Sequence, residues 1–282
     1  MTTSQQDKFA LQQSAPIGAV EQKAFFQENG FLIVPDILSP AQMEELRMMV
    51  DRVLDGAIRP EFNEPGSDRP SDDFQLQLEP AVEHDPRVPR REKIRVAFHL
   101  CHTHPYFRGH AIRPEILGVV ENLIGPDVKL YTDQLFVKPP HHGSAVPFHQ
   151  DHAYWKMMEP YNAVSCWLAL DDVTIENGCV RMVPGTHHHL VPHHAYEGPQ
   201  SWGLLNDEVE VAREVPIEIK AGSAMFHHSL TIHRSFPNTS DHGRRGLVTI
   251  YMPADSHLVQ PWDFRYGFQP TRELAQNRGV EL

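Results

Sequence analysis

Residues 146–154 read Val-Pro-Phe-His-Gln-Asp-His-Ala-Tyr, and the rest of the chain can be worked out from them. They follow a short run, residues 134–138, with the texture of a strand. In extended backbone, residues i and i+2 point to the same face, so the imidazole of His149 and the carboxylate of Asp151 converge. One more imidazole on that side would complete a set of two histidines and one carboxylate, with three octahedral positions left open. That arrangement marks non-haem Fe(II) oxygenases. The H-x-D triplet alone proves little, because a chain with 19 histidines produces such spacings by chance. A distant partner has to come from elsewhere.

The chain has 282 residues, 40% hydrophobic and 22% charged, which is ordinary for a globular protein and enough for one large domain or two small ones. Its formal net charge of −12 argues against non-specific binding to nucleic acid or to an anionic membrane surface. An anionic substrate would need local basic residues to hold it. Cys101, Cys166 and Cys179 are odd in number and lack a C-x-x-C pair. They suggest neither a disulfide framework nor a zinc knuckle, and a reducing cytoplasm fits them best. No apolar run approaches the roughly 18 residues of a membrane span. Residues 1–16 are polar, lack the apolar stretch of a secretory signal and read as a flexible tail. With no internal repeat and no linker, residues 17–282 read as one domain whose oligomeric state is left open.

Helices come first. Residues 20–29 form a short helix stopped by Gly30, and residues 31–35 a buried strand. Ser39, Pro40 and Gln42 make a capping box with proline in the first turn. Met43, Leu46, Val50, Val53 and Leu54 follow at helical spacing, as packing residues rather than ligands. Residues 59–91 are rich in Pro, Asp and Glu without periodicity and read as a long loop, either a solvated surface or a lid. Arg113-Pro114 opens another helix, closed by Gly125. From there the texture is β, with strands at residues 128–138, 163–173, 179–184, 215–219, 224–233 and 247–252. Asn177-Gly178 reads as a type I′ hairpin between the second and third of these. Many short strands joined by turns predict a mainly β sandwich or barrel with flanking helices.

The partner for His149 and Asp151 lies in residues 221–235, which carry His227, His228 and His233. All three compete for the third place. Eleven residues beyond His233 stands Arg244, whose planar fork can grip a carboxylate through two parallel hydrogen bonds. A carboxylate clamp near such a metal set is what 2-oxoglutarate would require. On strand parity Arg244 points inward with Gly246 and Val248, where the small Gly246 leaves room, and Arg245 points outward.

These residues together resemble the phytanoyl-CoA dioxygenase family, which includes ectoine hydroxylase. The resemblance rests on His149-x-Asp151, Trp167, Asn177-Gly178-Cys179, Pro184-Gly185-Thr186-His187, Phe226-His227, His233, Ser235 and Arg244, in that order. It covers residues 130–253 and, more loosely, the N-terminal helices. Ser223 departs from it, standing where the family often has Asp. The resemblance implies a double-stranded β-helix, the cupin-like jelly roll, binding Fe(II) and 2-oxoglutarate. It implies His149, Asp151 and His233 as metal ligands and catalytic centre. Arg244 and Ser235 would hold the distal carboxylate of 2-oxoglutarate, and Trp167 and Gln134 would line its pocket, with Arg95 nearby. The implied reaction takes a small-molecule metabolite, O2 and 2-oxoglutarate to a hydroxylated product, succinate and CO2. Related halogenases have Ala or Gly in place of the carboxylate ligand, so Asp151 favours hydroxylation.

Plainer readings stand beside these. Trp167 is also readable as core, Arg244 as a strand-end ion pair, and Gln150 and Tyr154 as residues facing a substrate. A non-catalytic metal-binding jelly roll, acting as sensor or store, explains the triad but not Arg244. A zinc hydrolase fits an open three-ligand site but has no evident general base. The substrate itself is not legible in the sequence.

Overall fold

The computed structural model describes residues 18–62, 72–155, 158–195, 202–258 and 269–270. Helix α1 (Ala19–Asn29) stops where Gly30 takes a φ of 78° and donates its N–H to the Phe26 carbonyl. Glycine enters that left-handed region without steric cost. Strand β1 (Phe31–Val34) leads to α2 (Pro40–Leu54). There the Ser39 hydroxyl accepts the Gln42 N–H and the Gln42 side chain accepts the Ser39 N–H, so the capping box is present. After β2 (Gln75–Leu78), the single turn α3 (Arg90–Lys93) and β3 (Ile94–Phe98) come α4 (Leu100–Thr103), α5 (Pro105–Ala111) and α6 (Pro114–Ile124).

The remainder is mainly strand: β4 (Val128–Lys138), β5 (Val146–His149), β6 (Met158–Glu159), β7 (Val164–Ala169), β8 (Val180–Met182), β9 (His194–Ala195), β10 (Trp202–Gly203), β11 (Val215–Pro216), β12 (Ala224–His228), β13 (His233–Ser235), β14 (Arg244–Pro253), β15 (His257–Leu258) and β16 (Gln269–Pro270). The larger sheet runs β1-β12-β7-β14-β4-β3-β2, with β16 also paired to β4, and the smaller runs β11-β8-β13-β5. All pairings are antiparallel. Two such sheets folded face to face make the jelly roll.

Side-chain alternation then decides which face does what. Leu247 and Tyr251 of β14 turn outward into a core shared with Leu46, Val50, Phe107, Ile116 and Val120 of the helices. Val248, Ile250 and Met252 turn inward, where they meet Trp167, Val180, Met182 and Ile217 between the sheets. The outer face of the larger sheet is therefore covered by helices, and the space between the sheets is free to hold a site.

Four expectations change. Residues 59–91 are not one loop, because β2 lies inside them and pairs with β3 beyond their end; residues 63–71, like the tail at 1–16, lie outside the described residues. Asn177-Gly178 is not a type I′ hairpin, because β7 and β8 lie in different sheets. That turn needs positive φ at both central residues, and only Gly178, at 80°, has it. The Asn177 amide instead accepts the Thr174 N–H and donates to the Asp172 carbonyl, folding a corner from one sheet to the other. Residues 224–233 are two strands, with His227 on β12 in the larger sheet and His233 on β13 in the smaller. Finally, the space over Gly246 belongs to Trp167. A Cβ built there would lie 2.1 Å from Cζ2 of the indole, so the glycine makes room for the ring and not for a ligand.

Gly246→Ala should therefore cost stability, about 1–3 kcal/mol as for other overpacked interiors, read as a lowered midpoint in chemical denaturation. An unshifted midpoint would show that the indole yields freely.

Candidate active site

His149 and His233 are register partners across β5 and β13, and their rings stand 4.1 Å apart centroid to centroid. Gln150 stays extended (φ −111°, ψ 130°), and Asp151 opens a 3-10 turn, Asp151–Tyr154. The carboxylate thereby swings back: Asp151 Oδ1 lies 3.4 Å from His149 Nε2 and 3.6 Å from His233 Nε2. One ligand atom from each of the three lies within 4.8 Å of the others. Such a spacing can enclose one ion. The far nitrogen of each ring is fixed by the chain. His149 Nδ1 donates to the Pro147 carbonyl at 2.9 Å and His233 Nδ1 to the Thr231 carbonyl at 2.9 Å. With Nδ1 protonated, Nε2 presents a lone pair inward. Burial pushes His233 down to about 3, so it stays neutral and able to ligate.

The other oxygen of Asp151 faces the larger sheet. Oδ2 accepts from Ser165 Oγ at 3.2 Å and from His227 Nε2 at 3.0 Å. Burial would raise this carboxyl, but the surrounding imidazoles outweigh it and hold the group well below the usual carboxylate range. His227 thus touches the carboxylate rather than joining the three-residue cluster. His228 is turned away, accepting the Leu230 N–H on Nδ1 and packing its ring 5.4 Å from His187.

From the triad a cavity runs between the sheets, lined among others by Gln134, Trp167, Ser235, Arg244, Arg95 and Glu79. Gln134 and Trp167 flank Val248 on either side, one on β4 and one on β7. Arg244 is 2% exposed. Its guanidinium donates to the Gly178 carbonyl and lies 4.9 Å over the Trp167 ring, while Nε has no partner. Burial lowers it to about 10, so it remains a cation. Arg245 points out of the barrel, to Asp171 through two bonds of 2.9 and 2.7 Å and to Asp51 at 2.8 Å.

Some features were not anticipated. Gln150 faces no substrate: its buried amide donates to the His189 and Leu230 carbonyls and accepts the Val191 N–H. Lys138 sits in the cavity wall, donating to the Ser144 and Phe236 carbonyls. Its parity with Gln134 and Phe136 on β4 was the available signal. Arg95, expected near the pocket, lines the cavity by way of an unexpected bulge: Val96 pairs with Gln77 and Ile94 with Leu78, leaving Arg95 as the extra residue, re-aimed inward. Glu79 carried no sequence signal. Ser223, the departure from the family pattern, accepts the Asp36 N–H on its hydroxyl.

The family model for phytanoyl-CoA dioxygenase (PhyH) matches residues 26–246. The chain is 27% identical over 252 residues to the peroxisomal phytanoyl-CoA dioxygenase of Bos taurus, covering 86% of this chain and 70% of that protein. It is 29% identical over 273 residues to an L-proline trans-4-hydroxylase of Streptomyces griseoviridis, covering 88% and 92%. Among solved structures, the non-heme alpha ketoglutarate dependent carbocyclase SnoK from nogalamycin biosynthesis superposes with a TM-score of 0.64 at 24% identity, covering 87% of this chain and 89% of that one. EvdO2 from Micromonospora carbonacea var. aurantiaca, complexed with 2-oxoglutarate, gives 0.64 at 23%, covering 89% and 96%. The family match spans most of the chain, from α1 to the start of β14 and with the triad inside it, and on that basis the chain belongs to the phytanoyl-CoA dioxygenase family and is an Fe(II)- and 2-oxoglutarate-dependent oxygenase.

Proposed function

We propose that His149, Asp151 and His233 hold the Fe(II), that Arg244 with Ser235 grips the distal carboxylate of 2-oxoglutarate, and that the enzyme hydroxylates a small metabolite in the cytoplasm. The observation that carries this is the division of labour at Asp151. One oxygen is tied to Ser165 and His227, and the other is left between two imidazoles whose lone pairs point at it. Three donors of this kind suit a divalent first-row metal with open positions. The fit for the cosubstrate is the buried Arg244, whose Nε lacks a partner. A non-catalytic sensor would have no use for that free donor.

When bound, the iron and 2-oxoglutarate supply the oxidising chemistry, with O2 consumed and succinate and CO2 released. The chain's own residues bind, orient and exclude water. The Pro147 and Thr231 carbonyls fix the ligand imidazoles, His227 and Ser165 fix the carboxylate, and Trp167 holds the Arg244 plane. Gln134 flanks the same cavity wall. No helix among the described residues is long and apolar enough to cross a membrane. Three buried free cysteines agree with a reducing compartment.

Metal titration tests the ligand set. His149→Ala or His233→Ala should abolish iron binding and 2-oxoglutarate turnover. His227→Phe should weaken iron binding by about 10–100-fold, the usual loss when an outer hydrogen-bond partner is removed. Full iron occupancy in His233→Ala would move the third ligand to His227.

Asp151→Gly should destroy hydroxylation and open a metal position to chloride, shown by mass spectrometry of products formed in chloride buffer. Hydroxylation at the wild-type rate would mean that Asp151 is not a ligand.

Arg244→Ala removes one partner of a buried charge pair, a loss of roughly 2–5 kcal/mol. At about 1.4 kcal/mol per tenfold, 2-oxoglutarate binding should weaken by about 30-fold to several thousand-fold, with iron affinity nearly unchanged. Arg244→Lys should recover part of the loss, because an ammonium lacks the fork. Arg245→Ala should lose stability with its ion pairs but keep 2-oxoglutarate binding. The iron–cosubstrate absorbance without oxygen reads all three, and a silent Arg244→Ala would remove the cosubstrate assignment.

A further inference from the structure

Neither the metal nor the cosubstrate, as read above, uses the carboxylate of Glu79. The residue is 1% exposed and lines the cavity that holds the triad. Its backbone is fixed: its N–H donates to the Lys93 carbonyl at 2.7 Å, and its own carbonyl accepts from Val82 and Glu83 at 3.1 and 3.0 Å. Oε1 accepts the Ser144 N–H at 3.1 Å. Oε2 is buried and has no partner.

The nearby cations do not fill that vacancy. Lys138 turns two donors to the Ser144 and Phe236 carbonyls and makes no bond to Glu79. Arg95 donates from Nε to Ser144 Oγ at 3.0 Å and from Nη1 to Gln77 Oε1 at 2.8 Å, and its Nη2 is also without a partner. Neither cation makes a hydrogen bond or an ion pair with Glu79. The charge of Glu79 acts on both cations through space, but none of their donors reaches its free oxygen. Ser144 keeps the three groups apart, its N–H holding Glu79 while its hydroxyl and carbonyl hold Arg95 and Lys138. A buried acceptor oxygen left open in this way calls for a donor from the cavity. The donor that gains most from a buried carboxylate is a protonated amine, since bonds with both partners ionised are the shortest and strongest.

We propose that Glu79 is a specificity-determining residue, whose free oxygen accepts a hydrogen bond from a protonated amine of the primary substrate, so that the enzyme takes a free amino acid or a related amine. This rests on the reading that the cavity is the oxygenase site. The second free donor, Arg95 Nη2, stays available to a carboxylate, of the cosubstrate or of that substrate.

The experiment is calorimetric titration, without oxygen, of the chain loaded with Fe(II) and 2-oxoglutarate. The probes are the free L-amino acids, L-proline included, each paired with its N-acetyl derivative, which lacks the ionised amine. At least one free amino acid should bind, and its N-acetyl form should bind at least about 30-fold more weakly, the lower bound for one half of a buried charge pair. Glu79→Gln keeps the shape and removes the charge, and it should erase most of that discrimination. Binding of no free amino acid, equal binding of both forms by wild type, or discrimination that survives Glu79→Gln would each overturn the proposal. If Glu79→Gln does not fold, the wild-type comparison decides alone. The iron–cosubstrate absorbance, recorded on the same samples, separates the two readings. Its presence with no amine preference sinks only the role of Glu79. Its absence sinks the oxygenase assignment of the cavity, while the titration still decides whether Glu79 selects amines.

Discussion

An ionised carboxylate placed between two apolar layers is unstable unless both oxygens are met. Asp151 stands in that position, and much of the molecule is arranged to meet it. Ser165 and His227 come from neighbouring strands of the larger sheet, paired residue to residue, and take one oxygen. His149 and His233 come from paired strands of the smaller sheet and face the other. Both imidazoles turn lone pairs toward that oxygen, so a cation held among the three donors would meet it and make the carboxylate a bridge between the two sheets. A jelly roll without this bridge would have to fill the same space with side chains.

The second constraint is the excess of buried cations. Arg244, Lys138 and Arg95 all enter one cavity, where the described acidic groups are Asp151 and Glu79. Each cation is kept in place by carbonyls, hydroxyls or an aromatic face rather than by an anion. Lys138 is pushed well below its ordinary value, first by burial and then by Arg244 across the ladder. Arginine keeps its charge where lysine yields it. The cavity is therefore charged in a graded way: a firm cation at Arg244, a weakened one at Lys138, and a chain with a net charge of −12 outside. On the proposed reading, a dianionic cosubstrate would be repelled by the surface as a whole and held by this local concentration of donors.

The residues proposed for the metal and the cosubstrate could be picked out for a simple reason. His149-x-Asp151 is local in sequence, and parity along one strand separates Arg244 from Arg245. Both are short-range rules. What the sequence concealed depends on long-range pairing. Residues 224–233 look like one strand because nothing local marks the place where the chain leaves one sheet for the other. The role of His227 follows only from that crossing, which puts it beside Ser165. Asn177-Gly178 carries a hairpin signal, but the strands on either side of it belong to different sheets. Gly246 looks like space for a ligand, and only the pairing of β7 with β14 reveals that Trp167 fills it.

The substrate end was illegible for a further reason. Glu79 follows an edge strand in a charged segment without periodicity, and Arg95 faces inward because of one unpaired residue in β3. Without that bulge Arg95 would share the face of Ala97 and project into the helical core, where an arginine finds no partner. The bulge breaks the alternation from which side-chain direction is read, so the two residues that close this end of the cavity are invisible to a parity argument. Bulges gather next to active sites because they re-aim one side chain without disturbing the strand's other contacts. In this chain the residues proposed for the metal and the cosubstrate lie on regular strands, apart from Asp151 at the start of a 3-10 turn, and those proposed to face the substrate lie where regularity fails.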